Sequence, residues 1–372
     1  MKGLYIHVPF CRSRCIYCDF FSSTQGEEAK EKYVQSLCKE LSSRRNYAGP
    51  PILSTIYVGG GTPSILSSHQ LETIFSAIKT NYEIEDGAEI TLEANPDDIS
   101  KEFISTLKKL GINRVSLGIQ TFKDATLKIL NRRHSGTQAI NAVHLLHENG
   151  IENISIDLIY GLPQQTLRDW EADLQTMQQL PISHLSAYAL IYEEDTPIER
   201  MRKEGKVKEA NEELSLAMYE LLIHKSAELG LEQYEISNFS KPGMLARHNS
   251  SYWANKPYLG CGPGAHSYDG QKRRFNLPNL QKYCNGEHLY SEELLSQEDS
   301  FNERIMTALR TRKGLSIEEL DNTFGTTFKE HLLKNAQGYL SKEQLVIEDG
   351  YLRLTQQGIF ISDLIISDLM IV

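Results

Sequence analysis

Short runs of β-branched and aliphatic residues recur along the first half of the chain, at residues 4–8, 55–58, 89–94, 114–118, 154–159 and 185–190. Between them the apolar positions change period. Val34, Leu37, Cys38 and Leu41 fall at i, i+3, i+4 and i+7, as do Leu71, Ile74, Phe75 and Ile78, which is the spacing of a helix that buries one stripe. Strands alternating with amphipathic helices predict an α/β fold with a parallel sheet, because parallel neighbours need a crossover connection. Six such units fit either an open doubly wound sheet or an incomplete barrel, and periodicity alone does not separate the two.

The polar motifs do separate them. Three cysteines follow the first run, Gly59-Gly60-Gly61-Thr62-Pro63 follows the second, and Glu93-Ala94-Asn95-Pro96 closes the third. Gln120 follows the fourth run and Asp157 lies within the fifth. In a barrel the C-terminal ends of successive strands converge on one mouth, so residues 1–200 are expected to form an incomplete (β/α)6, TIM-like barrel with its site there. Residues 201–290 are read as a cap or side wall, with a helix rich in Leu, Ala and Glu and then a glycine- and aromatic-rich loop region at 238–269. Residues 291–372 are expected to form a winged-helix-like α+β domain: three helices and a hairpin that turns at Asp349-Gly350.

Composition narrows the partners. At 372 residues, with 40% hydrophobic and 24% charged residues, the chain is globular and large enough for more than one unit. Its 39 Lys and Arg against 49 Asp and Glu give a formal charge of −10, which repels a phosphate backbone. The winged-helix-like region carries no basic excess either, with 8 Lys and Arg against 10 Asp and Glu over residues 301–372. A packing role is therefore expected there, and no nucleic-acid partner. The N-terminus lacks the features of a signal peptide, so a cytoplasmic protein is expected. The most apolar stretch, residues 359–372, is interrupted by Asp363 and Asp368; it is read as a terminal core helix, with no integral membrane segment.

Cys11-x-x-x-Cys15-x-x-Cys18 places three soft thiolates on one short loop, which suits iron–sulfur or zinc ligation. A closed zinc site needs a fourth ligand, and the nearest, His7, lies on a predicted strand. The sharper reading is a [4Fe–4S] cluster with one iron left open. In this motif and its surroundings, Tyr5-Ile6-His7-Val8-Pro9-Phe10-Cys11 and Gly59-Gly60-Gly61-Thr62-Pro63-Ser64, the chain resembles the radical S-adenosylmethionine (SAM) proteins of the HemN/HemW branch. The resemblance covers almost the whole chain. It implies that Cys11, Cys15 and Cys18 hold the cluster, that the open iron binds the amino and carboxylate groups of SAM, and that an external electron donor feeds the cluster. It further implies SAM contacts from Tyr5, Tyr17, Gly60, Gly61, Thr62, Glu93, Gln120, Arg132 and Asp157.

The branch contains both coproporphyrinogen III dehydrogenases and heme chaperones. The dehydrogenases carry a further cysteine two residues after the cluster motif and a long segment before it. Here that position is Phe20, and ten residues precede Cys11. His248-Asn249-Ser250-Ser251-Tyr252-Trp253 resembles the His-Asn-x-x-Tyr-Trp motif associated with heme handling in the chaperone members. The resemblance thus implies heme as ligand, with His248, Tyr252 and Trp253 as its contacts, and recipient hemoproteins, respiratory ones first, as partners. His266 and Cys261 are further heme candidates, whereas Cys38 and Cys284 are read as packing residues. Oxidative decarboxylation of coproporphyrinogen III propionates is the alternative activity, and the sequence leaves open whether the protein is a homodimer.

Overall fold

A computed structural model of the chain describes residues 3–371. Six strands, β1 (Gly3–Val8), β2 (Ile52–Gly60), β3 (Glu83–Ala94), β4 (Arg114–Gln120), β5 (Asn153–Tyr160) and β6 (His184–Ala189), lie side by side in chain order. All are parallel. Helices follow them, among them Glu27–Ser43 and Ser68–Asn81. The two expected stripes point into the core: Leu71, Ile74, Phe75 and Ile78 are buried, as are Val34, Leu37 and Leu41, with Cys38 packed against them.

The alternation within each strand explains which face meets the helices. On β4, Val115, Leu117 and Ile119 are fully buried in the core beneath the helices, while Arg114, Ser116 and Gly118 line the opposite, concave face. Residues i and i+2 share a face of a strand, so the concave face of this sheet is polar along its length. It carries Glu89, Thr91 and Glu93 on β3, Asp157 on β5, and His184, Ser186 and Tyr188 on β6.

The sheet does not stop at six strands. β7 (Glu232–Glu235) and β8 (Asn238–Ser240) continue it antiparallel beyond β6. On the other edge β9 (Tyr258–Cys261) pairs parallel with β1, followed by β10 (His266–Tyr268), β11 (Lys272–Asn276) and β12 (Tyr290–Leu294). One twelve-stranded sheet results. β9 occupies the place beside β1 that β6 would take in a closed barrel, so the barrel stays incomplete, as expected. The expected loop region at 238–269 is corrected here: it holds β8, the helix Arg247–Trp253, β9 and β10. These elements are three to seven residues long, too short for a hydrophobic period to show.

A buried ionic network fixes this extension to the helical layer. Glu40, fully enclosed on the helix Glu27–Ser43, receives hydrogen bonds from Arg44 (2.8 Å), Gly262 N (2.9 Å), Asn276 (2.8 Å) and Tyr283 Oη (2.7 Å). Arg44 in turn donates to Gly260 O and Ser267 Oγ. Every charge is thus paired, the condition under which burial is tolerated.

The C-terminal unit has its own core of Phe301, Ile305, Leu320, Leu332, Leu352 and Ile365. Helices Gln297–Leu309, Ile317–Phe324 and Thr326–Ser341 pack with β13 (Leu315–Ser316), β14 (Leu345–Glu348) and β15 (Tyr351–Leu354). The hairpin turns where expected, with Asp349 and Gly350 both in the left-handed region (φ 53° and 80°). The expected single helix over 359–372 is instead two, Gln356–Ile359 and Ser362–Leu369; Val372 lies outside the described residues. No helix among the described residues is long and apolar enough to cross a membrane.

Candidate cofactor site at the barrel mouth

The chain leaves β1 at Val8 and enters the cysteine loop, which is held at both ends. Gly61 N donates to Val8 O (2.8 Å) and Thr62 N to Phe10 O (2.7 Å), so the backbone after β2 continues to pair with the chain entering the loop. Cys11 N donates to Ser23 O at 2.9 Å. Further along, Ile16 and Tyr17 pack on Leu130, Ile159 and Leu162. The glycines are required by this close approach. A Cβ on Gly61 would lie 2.6 Å from Phe10 O, and one on Gly60, whose φ is +109°, would lie 2.7 Å from His7 Nδ1.

Cys11, Cys15 and Cys18 are half-buried and line one cavity of about 480 Å³ together with Tyr17, Gly60, Gly61, Thr62, Glu93, Gln120, Arg132 and Asp157. Two of the sulfurs already receive hydrogen bonds: Thr62 Oγ1 to Cys11 and Arg132 Nη1 to Cys15, each at 3.4 Å. No three His, Cys, Asp or Glu side chains among the described residues are gathered closely enough for one metal ion. A [4Fe–4S] cluster asks for no such gathering around one ion, because each thiolate binds a different iron. Burial pushes the Cys18 thiol up to about 11, a cost that ligation to iron would offset because it is the thiolate that binds.

The residues expected to contact SAM are held in turn. Arg132 donates to Asn95 Oδ1 (2.7 Å) and to Gly118 O, and its Nε is enclosed without a protein partner among the described residues. Gln120 reaches the cavity from a bulge in β4, with φ at +70°. Glu93 accepts from Tyr57 Oη (2.7 Å) and Gly60 N (3.1 Å). Burial is the largest influence on Glu93 and raises it to about 7, with Asp157 pushing the same way. Asp157 accepts from Ser116 Oγ (3.2 Å), and burial raises it too. An enclosed guanidinium nitrogen, two carboxyls reluctant to ionise alone and a glycine turn fit a ligand that is both amino acid and cation, as SAM is.

Tyr5 does not join this set. Its hydroxyl bonds His7 Nδ1 at 3.1 Å, its ring packs against Tyr57 and His248, and it does not line the cavity. The heme candidates fare differently again. Thr55, the partner of Gly3 in the sheet, bonds His248 Nδ1 at 2.8 Å, and Tyr252 Oη bonds His248 Nε2 at 2.7 Å. Arg247 N and His248 N both donate to the Glu89 carboxylate at 2.9 Å. His248 therefore sits toward the N-terminal end of the strands, while Asn249 of the same motif lines the cavity floor. His248 is 1% exposed with both ring nitrogens engaged, which corrects its reading as a heme contact: no lone pair is free for iron. Tyr252 is half-buried beside it, and Trp253 lies under the Arg310 guanidinium, 5.3 Å from the ring centroid. Cys261 is fully buried on β9, and His266 packs edge-on to Phe275. Neither lines the cavity.

Arg114, Ser116, Ser186, Tyr188 and Asn249 also line the cavity and were not anticipated. For Ser116, Ser186 and Tyr188 the signal was present in the sequence, as polar residues at every second position of strands whose other face is apolar; Asn249 lies on a helix and carries no such period.

The chain matches the Radical SAM superfamily over residues 5–177 and the HemN C-terminal domain over residues 295–361. It is 35% identical to the heme chaperone HemW of Lactococcus lactis over 360 residues, 96% of this chain and 94% of that one. The chain belongs to the HemW family of radical SAM proteins. The heme chaperone HemW of Bacillus subtilis is likewise 35% identical, over 96% of both chains. The HemW-family chain also shares its fold with the crystallised coproporphyrinogen III oxidase HemN of Escherichia coli, described as a radical SAM enzyme. The TM-score is 0.86 at 21% identity, over 99% of this chain and 90% of that one. Membership in the superfamily implies a [4Fe–4S] cluster and SAM, which the cavity residues can accommodate.

Proposed function

We propose that this chain is a heme chaperone that holds a [4Fe–4S] cluster and SAM and delivers heme to hemoproteins, respiratory ones first. The full-length relationship to curated heme chaperones at 35% identity carries this reading. Cys11, Cys15 and Cys18 would hold the cluster, and Gly60, Gly61, Thr62, Glu93, Gln120, Arg132, Asp157 and Tyr17 would hold SAM. When bound and reduced by an external donor, the cluster supplies one-electron cleavage of SAM. The protein's own part is positioning. Thr62 and Arg132 direct hydrogen bonds at two cysteine sulfurs, and Glu93, once ionised, would offer a carboxylate to the cationic cofactor.

With His248 engaged elsewhere, the rim of the same cavity is the surface we propose for heme. Phe20 and Ile191 are 62% and 64% exposed and both line it, an apolar rim suited to a macrocycle edge. Arg14 stands beside them on the cysteine loop. The six cysteines are all unbridged, which supports the cytoplasm as the compartment. The test offers the heme-loaded protein to an apo-hemoprotein and follows the Soret band. Direct transfer, with a rate that depends on the acceptor's concentration, supports the reading; release at the rate of free heme dissociation, whatever the acceptor, overturns it.

A further inference from the structure

Arg114 is 1% exposed, yet its side chain lines the cavity from the first residue of β4. Among the described residues no hydrogen bond or ion pair reaches its guanidinium, and Nε is fully enclosed. The carboxylates around it are committed elsewhere. Glu93 is taken by Tyr57 and Gly60, Asp157 by Ser116, and Glu89 by the backbone of Arg247 and His248. Glu93 and Asp157 balance its charge through space, but its donors are left without acceptors, and arginine's planar fork matches one acceptor best, a carboxylate taken through two parallel hydrogen bonds. The neighbouring cavity wall adds the neutral groups Ser186, Tyr188 and Asn249. A dianion is disfavoured because Glu93 and Asp157 already stand in the same cavity.

We propose that Arg114 anchors a carboxylate subsite in the barrel lumen, separate from the residues assigned to SAM. The carboxylate comes either from a heme propionate or from a small free acid. The subsite adds to the chaperone reading and does not depend on it.

The test uses the full chain with its cluster reconstituted anaerobically and SAM saturating, as wild type, Arg114→Lys and Arg114→Gln, each checked by circular dichroism. One arm titrates propionate against propionamide by calorimetry; the other titrates heme against heme dimethyl ester. In at least one arm the wild type should prefer the acid by roughly tenfold or more, the scale of a charge-assisted pair. Arg114→Gln should abolish that preference and Arg114→Lys reduce it. A preference in the propionate arm identifies a small acid, and one in the heme arm a tetrapyrrole propionate. Failure of heme to bind at all while propionate is selected would overturn the chaperone and leave the subsite standing. Equal affinity for acid and neutral analogue in both arms overturns the subsite, and wild type alone can show it if Arg114→Gln does not fold. Loss of SAM binding in Arg114→Gln also overturns it, since Arg114 would then belong to the cofactor's own site.

Discussion

Glu93 makes the proposed SAM site pH-dependent in a calculable way. Its carboxyl is buried, accepts from Tyr57 and Gly60, and is raised to about 7. With a midpoint at about 7, roughly a tenth of Glu93 is ionised at pH 6 and roughly nine-tenths at pH 8. A cationic ligand that requires the carboxylate should therefore bind about tenfold more tightly at pH 8 than at pH 6. SAM carries an α-amino group of its own, a type that in peptides titrates at about 7.7–8.0, so Glu93→Gln must be measured beside the wild type. The difference between the two profiles belongs to Glu93. The variant should bind about 10- to 100-fold more weakly at pH 8, from the loss of a charged hydrogen bond of about 1.5–3 kcal/mol. The gap should narrow toward pH 6. Anaerobic equilibrium dialysis of the reconstituted protein with labelled SAM reads both. Parallel profiles for the two proteins would refute the reasoning. The same titration acts on folding with the opposite sense: because the folded-state value lies above the ordinary 4.5, Glu93 withdraws stability as pH rises through that interval.

Other perturbations separate site from scaffold. Cys15→Ser should abolish the full [4Fe–4S] absorbance after reconstitution and leave the far-ultraviolet spectrum unchanged; an intact cluster spectrum would contradict the ligand assignment. Gly61→Ala forces a methyl to 2.6 Å from Phe10 O, so cluster yield should fall severalfold while the C-terminal unit stays folded, as read by iron content and limited proteolysis. Glu40→Ala should cost about 3–5 kcal/mol in denaturant unfolding, because it strands the buried Arg44; a loss under 1 kcal/mol would mean that the network is not needed. His248→Ala should cost about 2–4 kcal/mol through a cavity and an unpartnered Tyr252 hydroxyl, with heme affinity of the folded protein unchanged. A heme affinity that falls tenfold would restore the motif as the heme site.

The core strands were legible because a strand covered on its outer face by helices needs an unbroken set of apolar residues there. Val115, Leu117 and Ile119 supply it on β4. The cysteine loop and the glycine turn were legible because their residue types serve few other purposes at that spacing. The position of His248 was not legible. Its sequence neighbours show a short polar segment, and only the long-range partners Thr55 and Glu89 decide that it returns to the bottom of the strands and not to the mouth. Arg114 escaped for a related reason. A lone arginine opening a strand reads as a solvated charge until the sheet curves around it. β8 to β10 were missed because pairing with β1 and β6, and not any local preference of Asn238, Ser240 or Gly260, makes those residues strands.

The chaperone assignment is tested most directly on anaerobically reconstituted protein, titrated with heme by absorbance while a parallel sample receives coproporphyrinogen III, SAM and a reductant. The account predicts saturable, stoichiometric heme binding and no decarboxylated product. SAM-dependent loss of propionate carboxylates from coproporphyrinogen III, without stoichiometric heme binding, would contradict it and make the protein an enzyme of tetrapyrrole synthesis.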